Sequence, residues 1–178
     1  MEEIMNYKNS ELITWSDTFS CGLKVIDDQH KELVKLLNKM FNHVTGDEAR
    51  ERDYFNKIIQ EAVEYIKVHF STEEKIMKAT QFSGYAEHKK IHDSFILTVN
   101  ENIVGFNSGK RLSLFSFTNF VKNWILSHIA VMDKQYFYHL KKTATRTADG
   151  KLSITTADIH PAVHAYADIS GKTIPESA

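Results

Sequence analysis

The sequence is poor in the residues that cross-link or interrupt a chain. Its 178 residues include one cysteine, Cys21, which cannot form an intrachain disulfide and fits a reducing compartment. There are only seven glycines and two prolines, and both prolines fall within the last twenty residues. Because proline and glycine are the usual helix breakers, this distribution predicts long uninterrupted helices over most of the chain.

Neither charge nor hydrophobicity is concentrated in a way that indicates a membrane or a nucleic acid. The formal net charge is −1, so the charge composition does not indicate binding to a polyanion such as nucleic acid. The first residues are acidic and lack the apolar core of a secretory signal. No stretch approaches the ~20 apolar residues that a membrane span requires. We therefore expect a cytoplasmic protein that binds neither nucleic acid nor membrane.

Helical periodicity is present in four segments. They run over about 25–44, 50–79, 85–106 and 112–141. Each has one apolar stripe, and the stripe of the last segment is predicted to comprise Phe117, Val121, Trp124, His128 and Val131. Four amphipathic helices joined by short loops are typical of an all-α fold, an antiparallel up-down-up-down four-helix bundle.

The bundle is expected to carry an appendage at each end. We divide the chain into an N-terminal arm at 1–24, the bundle at 25–142 and a C-terminal tail at 143–178. In the arm, Trp15 and Phe19 should pack against the helices. The tail is rich in Ala, Thr and Asp without sustained periodicity, although 148–155 favours a short hairpin. Such a tail could dock a protein partner.

Histidine is the residue that most clearly points to a function. Five of the nine histidines lie on the apolar stripes of the four helices: His30, His69, His88, His92 and His128. The pairs His69/Glu73 and His88/His92 are four residues apart, which places both members on one helix face roughly 5–6 Å apart. Buried polar groups are costly unless they are partnered. This set therefore indicates a metal site inside the bundle.

The residue types narrow the choice of metal without fixing it. Imidazoles accompanied by carboxylates favour iron, manganese or zinc over copper(I). Five imidazoles exceed the ligand number of one tetrahedral zinc, so two metals that share carboxylates fit better. The remaining histidines, His43, His139, His160 and His164, are interpreted as ordinary hydrogen-bonded residues.

Four motifs occur in order and at matching spacings: "WSDTFSCGLKVIDDQHKEL", "HFSTEE", "HKKIH" and "WILSHIAVMD". Over about residues 15–140 they resemble the hemerythrin family, specifically its bacterial members. The resemblance implies a non-heme di-iron centre with a bridging oxo or hydroxo group, which binds dioxygen reversibly. It assigns His88, His92 and His128 to one iron and His30 and His69 to the other, with Glu73 and Asp133 as bridges. Glu74 is expected to be solvated.

The implied ligand count leaves one coordination position open, on the iron with two imidazoles. The resemblance places five residues around this dioxygen position: Leu33, Phe70, Trp124, Ile125 and Ile129. For each of them, ordinary core packing is an alternative or additional role. The function expected is dioxygen storage, transport or delivery to oxygen-requiring enzymes, without enzymatic activity. The alternatives are an oxygen or redox sensor, a di-iron enzyme that consumes peroxide or nitric oxide, and iron storage.

One spacing departs from regular helical geometry. His128 and Asp133 are five residues apart, which on an α-helix separates them by about 140°. Either Asp133 reaches round from the edge of the inner face, or the helix contains a π-bulge at this point. Before the first ligand, Asp27, Asp28 and Gln29 are expected to support the start of the first helix, and some residues should hydrogen-bond to the ligand histidines.

Overall fold

The computed structural model describes residues 10–108, 113–143, 145–146 and 152–153, and the helices among them form the predicted four-helix bundle. The helical elements are a short 3-10 helix at Asp17–Phe19, α1 at Lys24–Phe41, α2 at Glu48–Ala79, α3 at Tyr85–Asn107, α4 at Leu114–Ser127, a π-helical segment at His128–Met132 and α5 at Asp133–Thr143. The last three are continuous and correspond to the single fourth helix that the sequence predicts.

The turn between α1 and α2 is built from local hydrogen bonds. Gly46 has a φ of +77°, a left-handed conformation that glycine adopts without strain. Asp47 caps α2, because its carboxylate accepts from the backbone N–H groups of Ala49 and Arg50. The Glu51 carboxylate turns back to accept from the N–H groups of Thr45 and Gly46, both at 2.7 Å. These bonds fix the direction in which α2 leaves the loop.

The described part of the N-terminal arm is fastened to α1. The Asn38 side chain accepts from the N–H groups of Leu12 and Ile13 and donates to the Ile13 carbonyl at 2.8 Å. Trp15 and Phe19 pack, partly buried, against the core, as predicted. Their rings also contact each other at 5.7 Å between centroids. The arm therefore covers one side of the bundle.

The apolar core consists of two clusters. The large cluster is formed by the second half of α1, by α2 from Phe55 to Phe70, by α3 from Phe95 onward and by α4. The small cluster lies at the other end and comprises Cys21, Ile26, Ile76, Met77, Tyr136, Phe137 and Leu140. The histidine-bearing segments of the helices separate the two.

The prediction that Val131 faces the core is wrong. Its side chain is 58% exposed, whereas Asp133, Tyr136 and Leu140 are buried. The reason is the π-helical segment His128–Met132, whose wider turn holds one residue more than an α-turn. The residues that face the core after His128 are therefore shifted by one position along the chain. The sequence left open either a reaching Asp133 or a π-bulge, and the π-bulge is present.

Beyond α5, the described residues form two short antiparallel strands. They are β1 at Thr145–Arg146 and β2 at Leu152–Ser153, with Arg146 opposite Leu152. The predicted hairpin at 148–155 overlaps this pair only in β2, and its other residues lie outside the described part of the chain. The division at 1–24, 25–142 and 143–178 stays a prediction. Within the described ranges, no helix combines the length and apolar character that crossing a bilayer requires.

Candidate metal centre

All seven predicted ligands lie on the inner face of the bundle, between the two apolar clusters. None has more than 3% of its surface exposed: His30, His69, Glu73, His88, His92, His128 and Asp133. Each helix of the bundle contributes at least one of them. The structure therefore brings together five imidazoles and two carboxylates in a space closed to solvent, as the helical stripes indicate.

One group of donors gathers around three imidazoles. The Nε2 atom of His92 lies 3.1 Å from Nε2 of His88 and 3.0 Å from Nε2 of His128. Glu73 Oε2 lies 3.2 Å from the same His92 atom. Two nitrogen ligands at right angles around one metal, each bonded at about 2.1 Å, would be about 3 Å apart. The spacing is that of ligands converging on one ion.

A second group of donors shares Glu73 with the first. It consists of His30, His69, Glu73 and Asp133, whose donor atoms lie within 4.8 Å of one another. Asp133 connects the two groups: its Oδ2 is 3.2 Å from Nε2 of His30, and its Oδ1 is 3.1 Å from Nε2 of His128. Glu73 Oε2, which faces the first group, also lies 3.8 Å from Nε2 of His69. Both carboxylates are thus placed to bridge.

The hydrogen-bonding state of these atoms tests whether metals fit. Among the described residues, the buried side-chain atoms without a hydrogen-bond partner all belong to this cluster: both ring nitrogens of His30, Nε2 of His69, Oε2 of Glu73, Nδ1 of His128 and both oxygens of Asp133. Each such atom costs about 1–3 kcal/mol. Nitrogen and carboxylate donors facing one another fit a pair of cations, which would satisfy most of these atoms.

The protonation of the metal-free cluster follows from burial and charge. Burial lowers the pKa of His69 to about 3, so this imidazole is neutral and ready to bind a metal. Burial opposes protonation of His128 too, but Asp133 and Glu73 outweigh it and raise the pKa of His128 to about 9. Burial by itself would raise the pKa of Glu73. The four imidazoles around it outweigh burial, hold its pKa well below the usual range and keep the carboxylate ionised; they are His69, His128, His88 and His92.

Two ligand imidazoles are oriented by hydrogen bonds from their other nitrogen. His69 Nδ1–H donates to Gln29 Oε1 at 3.1 Å, and the Gln29 amide donates to the Thr72 hydroxyl. His92 Nδ1–H donates to Glu74 Oε1 at 3.3 Å. A proton held on Nδ1 leaves Nε2 free as the metal ligand. Gln29 thus supports the site through the ligand on α2 rather than only the start of α1.

The expectation that Glu74 is solvated is wrong. Its side chain is only 18% exposed and is directed to His92 on α3. Glu74 follows Glu73 on α2, so it lies to one side of the inner face, where α2 meets α3, and reaches the imidazole from there. Tyr136 is the second residue missed by the sequence analysis: it is fully buried, and its hydroxyl donates to Glu73 Oε1 at 2.8 Å. Its position one turn after Asp133 is the signal that could have identified it.

Of the four histidines predicted to lie outside the metal site, the two that the structure describes form ordinary hydrogen bonds. His43 Nδ1–H donates to the carbonyl of Lys39 at 2.8 Å, and its ring stacks on Tyr54. His139 Nε2–H donates to the carbonyl of Thr80 at 2.6 Å, at the end of α2. His160 and His164 lie outside the described residues.

The five predicted pocket residues differ in what they contact. Leu33, Phe70, Ile125 and Ile129 are buried, whereas Trp124 is half-buried. Phe70 stacks on His92 at 3.7 Å between centroids, and Trp124 stacks on His128 at 4.2 Å. These two rings therefore lie against the three-imidazole group. The placement of all five around a dioxygen position stays a prediction.

Comparison with known proteins agrees with this geometry. The family described as "Hemerythrin HHE cation binding domain" matches residues 21–140. A bacteriohemerythrin of Stenotrophomonas maltophilia (strain R551-3) is 31% identical over 130 residues, covering 73% of this chain and 82% of the relative. A bacteriohemerythrin of Pseudomonas aeruginosa (strain LESB58) is 32% identical over 124 residues, covering 70% and 78% respectively.

Solved structures show the same likeness. The crystal structure of a hemerythrin with a leucine-to-alanine substitution has a TM-score of 0.65 and 28% identity, covering 73% of this chain and 98% of that one. The family match at residues 21–140 spans all seven predicted ligands. This chain belongs to the hemerythrin family.

Proposed function

We propose that this protein binds dioxygen reversibly at a buried non-heme di-iron centre, and that it stores, carries or delivers dioxygen rather than catalysing a reaction. The observation that carries the proposal is the pair of overlapping donor groups, in which seven side chains converge and share Glu73. When bound, two iron ions would supply the electrons and the coordination position with which dioxygen combines reversibly.

The two iron ions would be held by different numbers of imidazoles. His88, His92 and His128 would hold one ion and His30 and His69 the other, with Glu73 and Asp133 spanning both. Because the second group has one imidazole fewer, the open position belongs on that side. The closeness of the first three Nε2 atoms supports their assignment to a single ion.

The surroundings of the centre favour reversibility by keeping water away. His30 is fully buried, and the apolar side chains of Leu33, Ile125 and Ile129 belong to the buried cluster on the adjoining turns. Water and protons at the site promote irreversible oxidation of such a centre, so a dry interior protects it. Two carboxylates are also few for a di-iron site, which favours reversible binding over oxygen activation.

The proposal is tested by visible absorption and metal analysis on the same anaerobically reduced sample. Dioxygen is admitted and then removed. We expect two irons per chain and a charge-transfer band that appears and disappears with dioxygen. Immediate irreversible conversion to the ferric form would exclude the carrier function and favour a sensor or an enzyme. Fewer than two irons per chain would contradict the ligand assignment.

A protein partner that docks on the tail at 143–178 is a separate proposal, motivated by the composition of this segment. Removal of residues 155–178 is expected to leave the absorption change intact. If the tail serves only delivery, the truncated protein will bind dioxygen normally and fail to stimulate an oxygen-consuming partner.

A further inference from the structure

One imidazole in each donor group is held by a hydrogen bond from Nδ1, the ring nitrogen outside the donor cluster. In the three-imidazole group it is His92, whose Nδ1–H donates to Glu74 Oε1 at 3.3 Å. In the other group it is His69, whose Nδ1–H donates to Gln29 Oε1 at 3.1 Å. The acceptors differ in charge, since Glu74 is a carboxylate and Gln29 is a neutral amide. The two metal positions are therefore supported unequally.

The neighbours of Gln29 fix the direction of every hydrogen bond in its support. The Val68 carbonyl can only accept, so the Thr72 hydroxyl donates its one hydrogen to it at 2.9 Å. Thr72 Oγ1 then accepts from the Gln29 amide nitrogen at 3.2 Å, which turns Gln29 Oε1 toward His69. His69 thus keeps its proton on Nδ1 and receives no negative charge from its partner.

The support of His92 adds a negative charge. The Glu74 side chain is 18% exposed, whereas His92 is buried at 1%. The ammonium group of Lys89 is paired with Asp93 at 2.6 Å rather than with Glu74. Phe70 stacks on the His92 ring at 3.7 Å and 2° between planes, which holds the ring in position for this bond. A hydrogen bond to a charged acceptor is roughly twice as strong as a neutral one, and it makes the imidazole a better electron donor.

We propose that Glu74 and Gln29 make the two metal positions electronically unequal, so that the first electron lost from a diferrous centre comes from the ion held by His92. The inference rests on the proposed function, which places one iron in each donor group. An imidazole with an anionic partner donates more charge to its metal, and this stabilises the higher oxidation state. The electron passes to the oxidant, and the ion on the His69 side stays ferrous.

This order protects the open coordination position. A ferric ion attracts hydroxide and other anions more strongly than a ferrous ion does, because its charge is higher. If the first oxidation is directed to the closed position, the open one remains free of such anions. The number of imidazoles acts in the same direction, since the open side has one fewer. The contribution of Glu74 and Gln29 must therefore be isolated by substitution.

The experiment uses reciprocal substitutions. Glu74→Gln removes the charge and keeps an acceptor for His92. Gln29→Glu adds a charge next to His69, and the Thr72 hydroxyl can rotate to donate to the new carboxylate. The controls are Glu64→Gln and Gln60→Glu, which make the same chemical changes on the exposed face of α2.

All variants are loaded with two irons and titrated anaerobically with ferricyanide and dithionite in the presence of redox mediators. The half-oxidised protein has an odd number of electrons, so electron paramagnetic resonance measures its amount. Its maximum fraction gives the separation between the two one-electron potentials. No dioxygen enters the measurement, so this readout does not depend on reversible dioxygen binding.

We expect Glu74→Gln to raise the lower of the two potentials and Gln29→Glu to lower the higher one. Each change should reduce the equilibrium constant for forming the half-oxidised protein by about tenfold or more, as expected for one charge beside a ligand of the oxidised ion. The double variant should reduce it further. Both control variants should match the unaltered protein.

Two results would overturn the proposal. The first is a half-oxidised fraction that is the same in Glu74→Gln and the unaltered protein. The second is an equal shift of both potentials, since the charge would then act on the centre as a whole. If Gln29→Glu does not hold two irons, Glu74→Gln decides alone. Two separate potentials in an unaltered protein that fails to bind dioxygen reversibly would refute the proposed function and leave this inference standing.

Discussion

The Tyr136 hydroxyl donates a 2.8 Å hydrogen bond to Oε1 of Glu73, the carboxylate that both donor groups share. Tyr136 comes from α5 and Glu73 from α2, so the bond joins two helices through the centre. Burial and the neighbouring carboxylates raise the pKa of Tyr136 well above its ordinary value, which keeps the hydroxyl protonated as a donor. The bond engages Oε1, which also lies 3.9 Å from Nε2 of His30, and leaves Oε2 facing His92 at 3.2 Å.

Tyr136→Phe should therefore loosen this carboxylate. Loss of a buried hydrogen bond to a charged group is expected to lower the free energy of unfolding by about 2 kcal/mol and to accelerate loss of iron to a chelator. Denaturant unfolding and chelator competition measure the two effects. The control is Tyr138→Phe, since Tyr138 is 66% exposed on the same helix and should change stability by less than about 0.5 kcal/mol. Equal behaviour of the two variants would contradict the assigned role.

Glu74→Gln is expected to weaken metal binding without changing the fold. The glutamine oxygen can still accept from His92 Nδ1, so the substitution removes the negative charge but keeps the hydrogen bond. Loss of such a supporting carboxylate reduces metal affinity by about tenfold or more. It should also raise the reduction potential of the centre, because less negative charge favours ferrous iron. Chelator competition and redox titration measure these changes.

The matched control for Glu74 lies on the same helix. Glu64→Gln removes a charge whose ion pair with Lys67 is exposed to solvent, and exposed pairs contribute little. Its metal affinity and potential should equal those of the unaltered protein. If Glu74→Gln does so as well, Glu74 has no influence on the centre.

Deletion of Val131 should be tolerated, although it shortens a helix next to the centre. The π-helical segment His128–Met132 holds one residue more than an α-turn, and Val131 is exposed within it. Removing this residue restores a regular helix in which His128 and the aspartate become four residues apart and still share one face. We expect two metals per chain and an intact fold by circular dichroism.

Deletion of Asn123 provides the contrast. Asn123 is also exposed but lies in the regular helix α4. Removing it rotates one part of the helix relative to the other by about 100°, so His128 and Asp133 cannot both face the core with Phe117. The protein should lose metal and stability. A Val131 deletion as damaging as the Asn123 deletion would show that the segment is not a simple one-residue insertion.

His30→Leu should destabilise the metal-free protein. The Nε2 atom of His30 lies 3.2 Å from Oδ2 of Asp133, and both side chains are fully buried, so leucine would leave this carboxylate oxygen facing an apolar side chain. Loss of the polar partner should lower the free energy of unfolding of the metal-free form by about 1–3 kcal/mol. The same change should lower the metal content below two per chain.

The His30 prediction is checked by denaturant unfolding after metal removal with a chelator, alongside His43→Leu, whose imidazole is exposed and lies outside the cluster. His43→Leu should retain two metals. For the unaltered protein, metal removal should cost about 4 kcal/mol when the free metal had been at a thousand times its dissociation constant. A metal-free His30→Leu protein that is as stable as the unaltered one would contradict the account.

Periodicity was sufficient to predict the four helices and the inward direction of His30, His69, His88, His92 and His128, because an amphipathic helix reveals its buried face through spacing alone. It failed at Val131, since a π-bulge changes the period within a single turn and leaves no compositional trace. It also missed the roles of Glu74 and Tyr136. Contacts across two helices depend on how the helices are packed, and one sequence without relatives does not encode that directly.

The separation of the core into two apolar clusters bears on how the molecule opens. Along α1, α2 and the fourth helix, the two clusters lie on opposite sides of the donor residues, except that Phe70 and Ile129 of the large cluster alternate with the donors. Without metal, the layer between them is held by few hydrogen bonds, so the two ends should exchange their amide hydrogens with solvent as separate cooperative units. With metal bound, they should exchange as one. The ions would then couple the unfolding of the two ends of the bundle in addition to forming its reactive centre.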